Sequence, residues 1–387
     1  MSAADPQPGS LPAFDHTELL SEPLKGQIRS RPDDPRLHYE AGDEHRRHGR
    51  PEAALVAFAV AARLAPQVAV AHFRVGNASY ALGRLDDAIA AYERSQQLDP
   101  QASTANNLGN AFAQRQRIVE AVRAFEAATK LDPEFLPAYI NLAQAHISRD
   151  DHQSALNALM PALSRNPRHA KGQALLAESL VGIGNLESAI GVYAQAVESS
   201  PDDVELRTAY GTTLTKLSRF MEAAEQYTLA LARRPHEAVL YNNLGEVHRS
   251  CGKIAESRAD FARAIELDPR QPEMHSNMLL TMQYDPSVSS QQLFDESRLW
   301  AERHTAGITR LSHPERDRNP QRKLRVGFVS ADLGRHPVGR FLEPVLRYRD
   351  PAQLETFCYS IGRVDDEQTH RLQASADHWQ VVTSLPP

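Results

Sequence analysis

The chain has 387 residues, of which 41% are hydrophobic and only 6% aromatic, with a formal net charge of −6 and a pI near 6.2. That balance excludes the sequence-wide basic field that recommends a nucleic-acid partner. The scarcity of aromatics suits a thin, Ala-rich helical array better than a thick-cored globule. Cys251 and Cys358 lie far apart and outside any metal-ligand spacing, so reduced thiols in a cytoplasmic protein are expected.

The opening MSAADPQPGSLPAFDH has no basic start and no apolar run, so it does not read as a signal peptide. No later stretch is long and apolar enough to span a bilayer, and no membrane partner is expected. Residues 1–18 are expected to be disordered. Leu19 to Ser30 is expected to form a helix that packs on the first unit of the helical array.

From Pro35 to Gln271 a 34-residue pattern recurs seven times. Its eighth position is small, its twentieth is Ala or Ser, and its twenty-fourth is large. The eighth and twenty-fourth pair as Gly42 with Phe58, Gly76 with Tyr92, Gly109 with Phe125 and Ala143 with Leu159. Ala177 with Tyr193, Gly211 with Tyr227 and Gly245 with Phe261 complete the set. Small residues let two antiparallel helices approach, and the large one fills the groove beside them. Pro66, Pro100, Pro133, Pro167, Pro201, Pro235 and Pro269 end the second helix of each unit, because proline lacks an N–H and disfavours helix in the residue before it.

The pattern resembles the tetratricopeptide repeat. One unit cannot bury its own apolar face, so neighbours stack into a superhelix with a concave surface. The expected fold class is therefore mostly α: a tetratricopeptide-repeat superhelix of about seven repeats over 19–284, flanking helices included. HSNMLLTMQY adds one more helix of the first type. Ser289 with Gln292 makes a capping box for a helix through Leu293, Trp300 and His304, which is expected to close the array. Residues 285–323 form this connector and a linker, the polar, Arg-rich stretch from Thr309 to Lys323 being solvated.

From Leu324 the period changes. Strands are expected at Leu324 to Ser330, Glu355 to Ile361 and Trp379 to Val382, with helices at Pro337 to Arg347 and Glu367 to Ser375. Strands alternating with helices imply a parallel α/β sheet, whose ligands sit beyond the carboxyl ends of its strands. The ADLGRH loop lies there and brings His336 to a helix start, where free N–H groups can face an anion or a sugar oxygen. Asp365 and Asp366 follow the second strand at the same edge.

LRVGFVSADLGRHPVGRFLEPVL, FCYSIGRVDDEQTHRL and the preceding SNMLLTMQYDPSVSSQQLFDESRLWAERH together resemble the start of the catalytic region of protein O-linked N-acetylglucosaminyltransferases, the SPINDLY-like bacterial relatives included. The resemblance implies that residues 324–387 are the beginning of the Rossmann-like N-terminal lobe of a GT-B glycosyltransferase, which is metal-independent and inverting. A Ser or Thr hydroxyl of a protein would attack the anomeric carbon of UDP-GlcNAc. Some relatives use GDP-fucose instead, and the donor stays open here. His336 matches the histidine considered as a base, and Asp365 or Asp366 matches an active-site aspartate. The family's second histidine, four residues after the first, is Arg340 in this chain. The nucleotide-binding lobe is not in the sequence, so the chain as written is expected to be an inactive piece of such an enzyme. The alternative is a non-catalytic interaction scaffold.

The resemblance also implies that Asn107, Asn141 and Asn243, at the sixth repeat position, hold extended peptide backbones on the concave face. An amide can both donate and accept for that purpose. Glu40, Arg74, Leu175 and Ala209 fill the position in the other repeats. Protein or peptide substrates are thus the expected partners, with no cofactor and no metal, and a homodimer stays open. Capture of acidic chaperone tails is disfavoured, since Tyr39, Phe73, Asn106 and Ile140 stand where a clamp lysine would sit. His45 and His48 have HxxH spacing without further ligands and read as a surface helix face.

Overall fold

In the computed structural model, residues 15–307, 319, 321–362 and 365–382 are described. They fall into two compact units, Met1–Ala306 and Gly307–Pro387.

The described residues of the first unit hold helices and turns and no strand. After α1 (Glu22–Ser30), seven antiparallel pairs follow among the described residues: α2 (Pro35–Arg47) with α3 (Pro51–Leu64), α4 (Ala69–Ala81) with α5 (Leu85–Leu98), α6 (Ala102–Gln114) with α7 (Ile118–Leu131), and α8 (Leu136–Ile147) with α9 (His152–Arg165). α10 (Ala170–Gly182) pairs with α11 (Leu186–Ser199), α12 (Val204–Lys216) with α13 (Phe220–Arg233), and α14 (Ala238–Ser250) with α15 (Ile254–Leu267). α16 (Pro272–Met282) and α17 (Ser290–His304) complete the unit. The first helices of successive pairs touch one another from α4 to α16, forming a common inner layer.

The small-to-large rule of the repeat has a direct steric cause. A Cβ on Gly42, Gly76 or Gly109 would stand 2.4–2.5 Å from the ring of Phe58, Tyr92 or Phe125 respectively. Those rings are buried, as are Tyr227 and Phe261 beside Gly211 and Gly245. Where the twenty-fourth residue shrinks to Leu159, the eighth grows to Ala143, and both are fully buried in one cluster.

The two ends of each hairpin are also dictated locally. Each second helix stops at the residue before the repeat proline: Ala65, Asp99, Asp132, Asn166, Ser200, Arg234 and Asp268. The turn inside each pair needs one residue in the left-handed region. Gly49, Gly83, Gly184 and Gly252 supply it without strain, whereas Gln116, Asp150 and Ser218 adopt φ of 61°, 60° and 59°.

The N-terminal expectation needs correction. Residues 15–18, assigned to a disordered stretch, form a turn that buries His16 against His38, while residues 1–14 lie outside the described residues. The helix starts at Glu22 instead of Leu19. Consequently His45 is not on a surface face: the turn covers it, and its Nε2 lies 2.7 Å from the His16 carbonyl. His48 is exposed and bonds the Glu44 carbonyl of its own helix.

α17 has the anticipated capping box, with Ser289 Oγ accepting from the Gln292 N–H at 3.2 Å and Gln292 Oε1 accepting from the Ser289 N–H at 2.8 Å. It rests on α16 through polar contacts. His275 Nε2 meets Glu296 Oε1 at 2.7 Å, and Trp300 Nε1 donates to the Pro272 carbonyl and to Ser276 Oγ. No residue of α17 is fully buried. Most of the expected linker, residues 308–318 and 320, lies outside the described residues.

The second unit holds β1 (Leu324–Ser330), α18 (Pro337–Tyr348), β2 (Leu354–Ser360), α19 (Glu367–Ser375) and β3 (His378–Val381). The strands are parallel in the order β1-β2-β3, with Leu324 opposite Leu354 and Phe357 opposite His378. The second and third strands sit one residue earlier than expected. Leu333, Leu342, Leu346, Cys358 and Leu372 form the core between sheet and helices. Burial pushes the Cys358 thiol up to about 11, which keeps it unreactive.

Two substitutions test the hairpin rules. Gly109→Ala forces a methyl into the Phe125 ring and is expected to cost about 1–3 kcal/mol by overpacking. Ser218→Gly removes a left-handed strain of about 1 kcal/mol and is expected to raise stability. Urea midpoints of the two variants should move in opposite directions from wild type.

Candidate functional site

The carboxyl edge of the sheet is built from two loops, residues 331–336 after β1 and the turn after β2. They approach so closely that a Cβ on Gly362 would meet the Ala331 carbonyl oxygen at 2.1 Å, while the Ile361 N–H donates to the Ser330 carbonyl. Gly339 is equally constrained, since a Cβ there would stand 2.2 Å from the Gly334 carbonyl oxygen. Neither glycine was singled out in the sequence, although both stand beside the motif residues that were.

Asp366 joins the loops. Its Oδ1 accepts from the Thr369 N–H at 2.9 Å and so caps α19, and its Oδ2 accepts from the Arg335 N–H at 2.7 Å. The Thr369 N–H, and after it the Arg335 N–H, hold this carboxyl below its ordinary range. One aspartate therefore ties the residue before His336 to the start of the second helix. Asp365 faces elsewhere: it is exposed and pairs with His370 Nε2 at 2.8 Å.

His336 is the N-cap of α18, its Nδ1 accepting from the Val338 N–H at 3.2 Å with Asp332 Oδ2 3.8 Å away. The ring is about half exposed. An Nδ1 that accepts is bare, so the neutral ring carries its proton on Nε2. The expected group of open N–H donors at this helix start is correspondingly small. Pro337 has none, Val338 gives its own to the ring, and the Arg340 N–H bonds the His336 carbonyl. Arg340 is exposed where the second histidine was sought.

The asparagines of the repeat array are engaged between repeats. Asn107 Nδ2 donates to Asn77 Oδ1 at 3.0 Å, and the Tyr92 hydroxyl donates to the same oxygen at 2.8 Å. Asn141 Nδ2 reaches Asn106 Oδ1 at 2.9 Å and Asn110 Oδ1 at 3.2 Å. Asn243 has no side-chain hydrogen bond among the described residues. One repeat further, Asn277 takes up the same pattern, donating to Asn242 at 3.0 Å and Glu246 at 3.5 Å. The repeat count ended at Gln271 and so missed it, although it stands 34 residues after Asn243. The amides around Asn77, Asn107 and Asn110, with Tyr80 and Tyr92, line a cleft of about 150 Å³. Asn107 keeps its amide oxygen and a second N–H, whereas Asn141 and Asn277 each direct their amide nitrogen at two oxygens and keep only their own oxygen.

Asp366 and Asp365 separate in a test of stability. Because the Asp366 carboxyl is depressed, its contribution is present above the ordinary carboxylate range of about 3.9 and is lost as pH falls below it. Asp366→Ala should therefore lower the thermal midpoint at pH 7 and converge on wild type in acid. Asp365→Ala should leave the neutral midpoint unchanged.

Comparison with known proteins agrees with both units. Tetratricopeptide repeat models match residues 29–103 and 210–272, and a second such model matches 112–179 and 147–211. Glycosyl transferase family 41 matches residues 299–384. A probable UDP-N-acetylglucosamine–peptide N-acetylglucosaminyltransferase SPINDLY of Petunia hybrida is 31% identical over 97 residues, which cover 25% of this chain and 10% of the relative. The corresponding SEC protein of Arabidopsis thaliana is 30% identical over 83 residues, 21% of this chain and 8% of the relative. Among solved structures, a point mutant of the Thermobaculum terrenum O-GlcNAc transferase matches with 28% identity and a TM-score of 0.46, covering 56% of this chain and 42% of that one. The chain thus matches only about a tenth of the length of these curated relatives. The chain is similar to O-GlcNAc transferases in carrying a tetratricopeptide array followed by a segment that matches glycosyl transferase family 41.

Proposed function

We propose that the protein belongs to a machine that transfers N-acetylglucosamine from UDP-GlcNAc to Ser or Thr hydroxyls of other proteins, the inner face of the repeats holding the acceptor chain. The observation that carries this reading is His336, a half-exposed imidazole at the carboxyl edge of a parallel sheet, inside the stretch matched by family 41. In the transfer, the acceptor oxygen forms a bond to the anomeric carbon as the bond to the nucleotide phosphate breaks. The electron pair leaves on the phosphate, and the hydroxyl proton passes to a base. The reading invokes no metal ion.

The cap geometry suggests a definite part for His336. With its Nδ1 lone pair engaged by the Val338 N–H, the neutral ring presents Nε2–H as a hydrogen-bond donor. Such a group steadies an oxygen that gains negative charge in the transition state. Accepting the hydroxyl proton would require the ring to leave its cap. Asp366 acts on this site as a positioning residue, through its bond to the Arg335 N–H.

Asparagine is an effective N-cap but has no imidazole, so it separates the two duties. His336→Asn in the full-length gene product should keep the wild-type thermal midpoint. Nucleotide release from UDP-GlcNAc with a protein acceptor should nevertheless fall about a hundredfold or more. Equal turnover by wild type and His336→Asn would leave His336 a cap and nothing else, and absence of donor turnover by wild type would favour the scaffold reading.

A further inference from the structure

We propose that residues 15–30 form a clasp over the first repeat, held at neutral pH and released in acid by protonation of the histidines buried beneath it. The apolar part of the clasp is Leu20, Leu24 and Ile28, packed on Leu37, Ala41 and Ala57. Its polar part is unusual for a helical array: three imidazoles, His16, His38 and His45, are 8%, 5% and 0% exposed.

Their tautomers follow from their partners. His38 Nε2 lies 2.7 Å from the Pro32 carbonyl, which can only accept, so that nitrogen carries the proton and His38 Nδ1 is bare. His16 Nε2, 3.1 Å from that bare nitrogen, must therefore be the donor. His45 Nε2 donates in the same way to the His16 carbonyl, which leaves its Nδ1 bare, buried and without a partner. Each Nε2–H is thus matched to an acceptor, and the bare Nδ1 of His45 has no partner. A proton added to His38 Nδ1 would set two N–H groups against each other across 3.1 Å. One added to His45 Nδ1 would create a buried donor with no acceptor.

The surrounding charges do not rescue the protonated forms. Asp15 favours a charged His16 but is itself engaged by the N–H and hydroxyl of Thr17. Glu44 favours a charged His45, yet its carboxylate accepts from the Ser21 N–H and hydroxyl and so holds the clasp directly. Arg50, which donates to the Leu19 carbonyl, and His48 oppose a charge on His45. Lys25 of α1 pairs with Glu22, and Arg47 acts on Glu44. Burial first, then His38, holds the His16 imidazole down at about 4, and burial likewise lowers His45. A depressed imidazole contributes stability that is complete above its unfolded value of about 6.5 and is lost as pH falls toward the folded value. The clasp should loosen between those limits.

Hydrogen–deuterium exchange of the full chain at pH 7.5 and 5.0, with times scaled for intrinsic rates, tests this. Helices α4 to α7 are the internal reference, since their one histidine, His72, is not buried and bonds only the Pro66 carbonyl. Amides of α1 should lose protection about tenfold at pH 5.0 relative to that reference. In His16→Gln the difference between the two pH values should shrink to the part that His45 contributes. A wild-type α1 that follows α4 to α7, or a His16→Gln protein that keeps the wild-type response, would overturn the proposal.

Discussion

The approach of two helix backbones at the eighth position of each repeat is the constraint on which the array depends. A glycine there lets an aromatic ring lie against bare backbone, and the ring fills the space a side chain would have occupied. Interiors packed to this density tolerate little change in volume, so the two positions are sized to each other, except where Ala177 and Tyr193 share one cluster. The Ala143 and Leu159 repeat obeys the same relation with one partner enlarged and the other reduced. With each hairpin set in this way, the first helices align as a continuous inner layer on which amides from consecutive repeats come within hydrogen-bonding distance.

The α/β unit is governed differently. Leu333 anchors the loop after β1 in the core, and backbone N–H groups bonded to side chains fix the rest. Asp366 and His336 each spend an acceptor on a helix start. The residue types that carry chemistry in this segment thus also hold it together. That is why loss of activity after simple truncation of either side chain would say little about its role. What remains free on His336 is the Nε2 side of a half-exposed ring, and the functional reading rests on that group.

The inner-face asparagines show the same economy. Their amides bridge one repeat to the next, Asn107 through one N–H and Asn141 through an amide nitrogen that meets two oxygens. Among the histidines under the N-terminal turn every Nε2–H is likewise used, and the bare His45 Nδ1 is buried without a partner.

Much of this was legible in the residues themselves. The 34-residue period, the small-to-large pairs and the prolines predicted seven hairpins, because backbone sterics act over a few positions and leave a periodic trace. The capping box at Ser289 and the βα alternation after Leu324 were readable for the same reason, with strand ends displaced by one residue. Asn277 was visible in the period and was lost only by ending the count at Gln271. The burial of His45 was different: it depends on a turn 29 residues earlier folding back over α2, and HxxH spacing carries no sign of that. Likewise, nothing in a pair of adjacent aspartates distinguishes Asp366, which binds the Arg335 N–H across 31 residues, from Asp365, which faces His370. Local geometry is written in spacing and is determined by sequence. Which polar group meets which partner is decided only when distant segments come together, because a hydrogen bond depends on ångström-scale placement that no periodicity encodes.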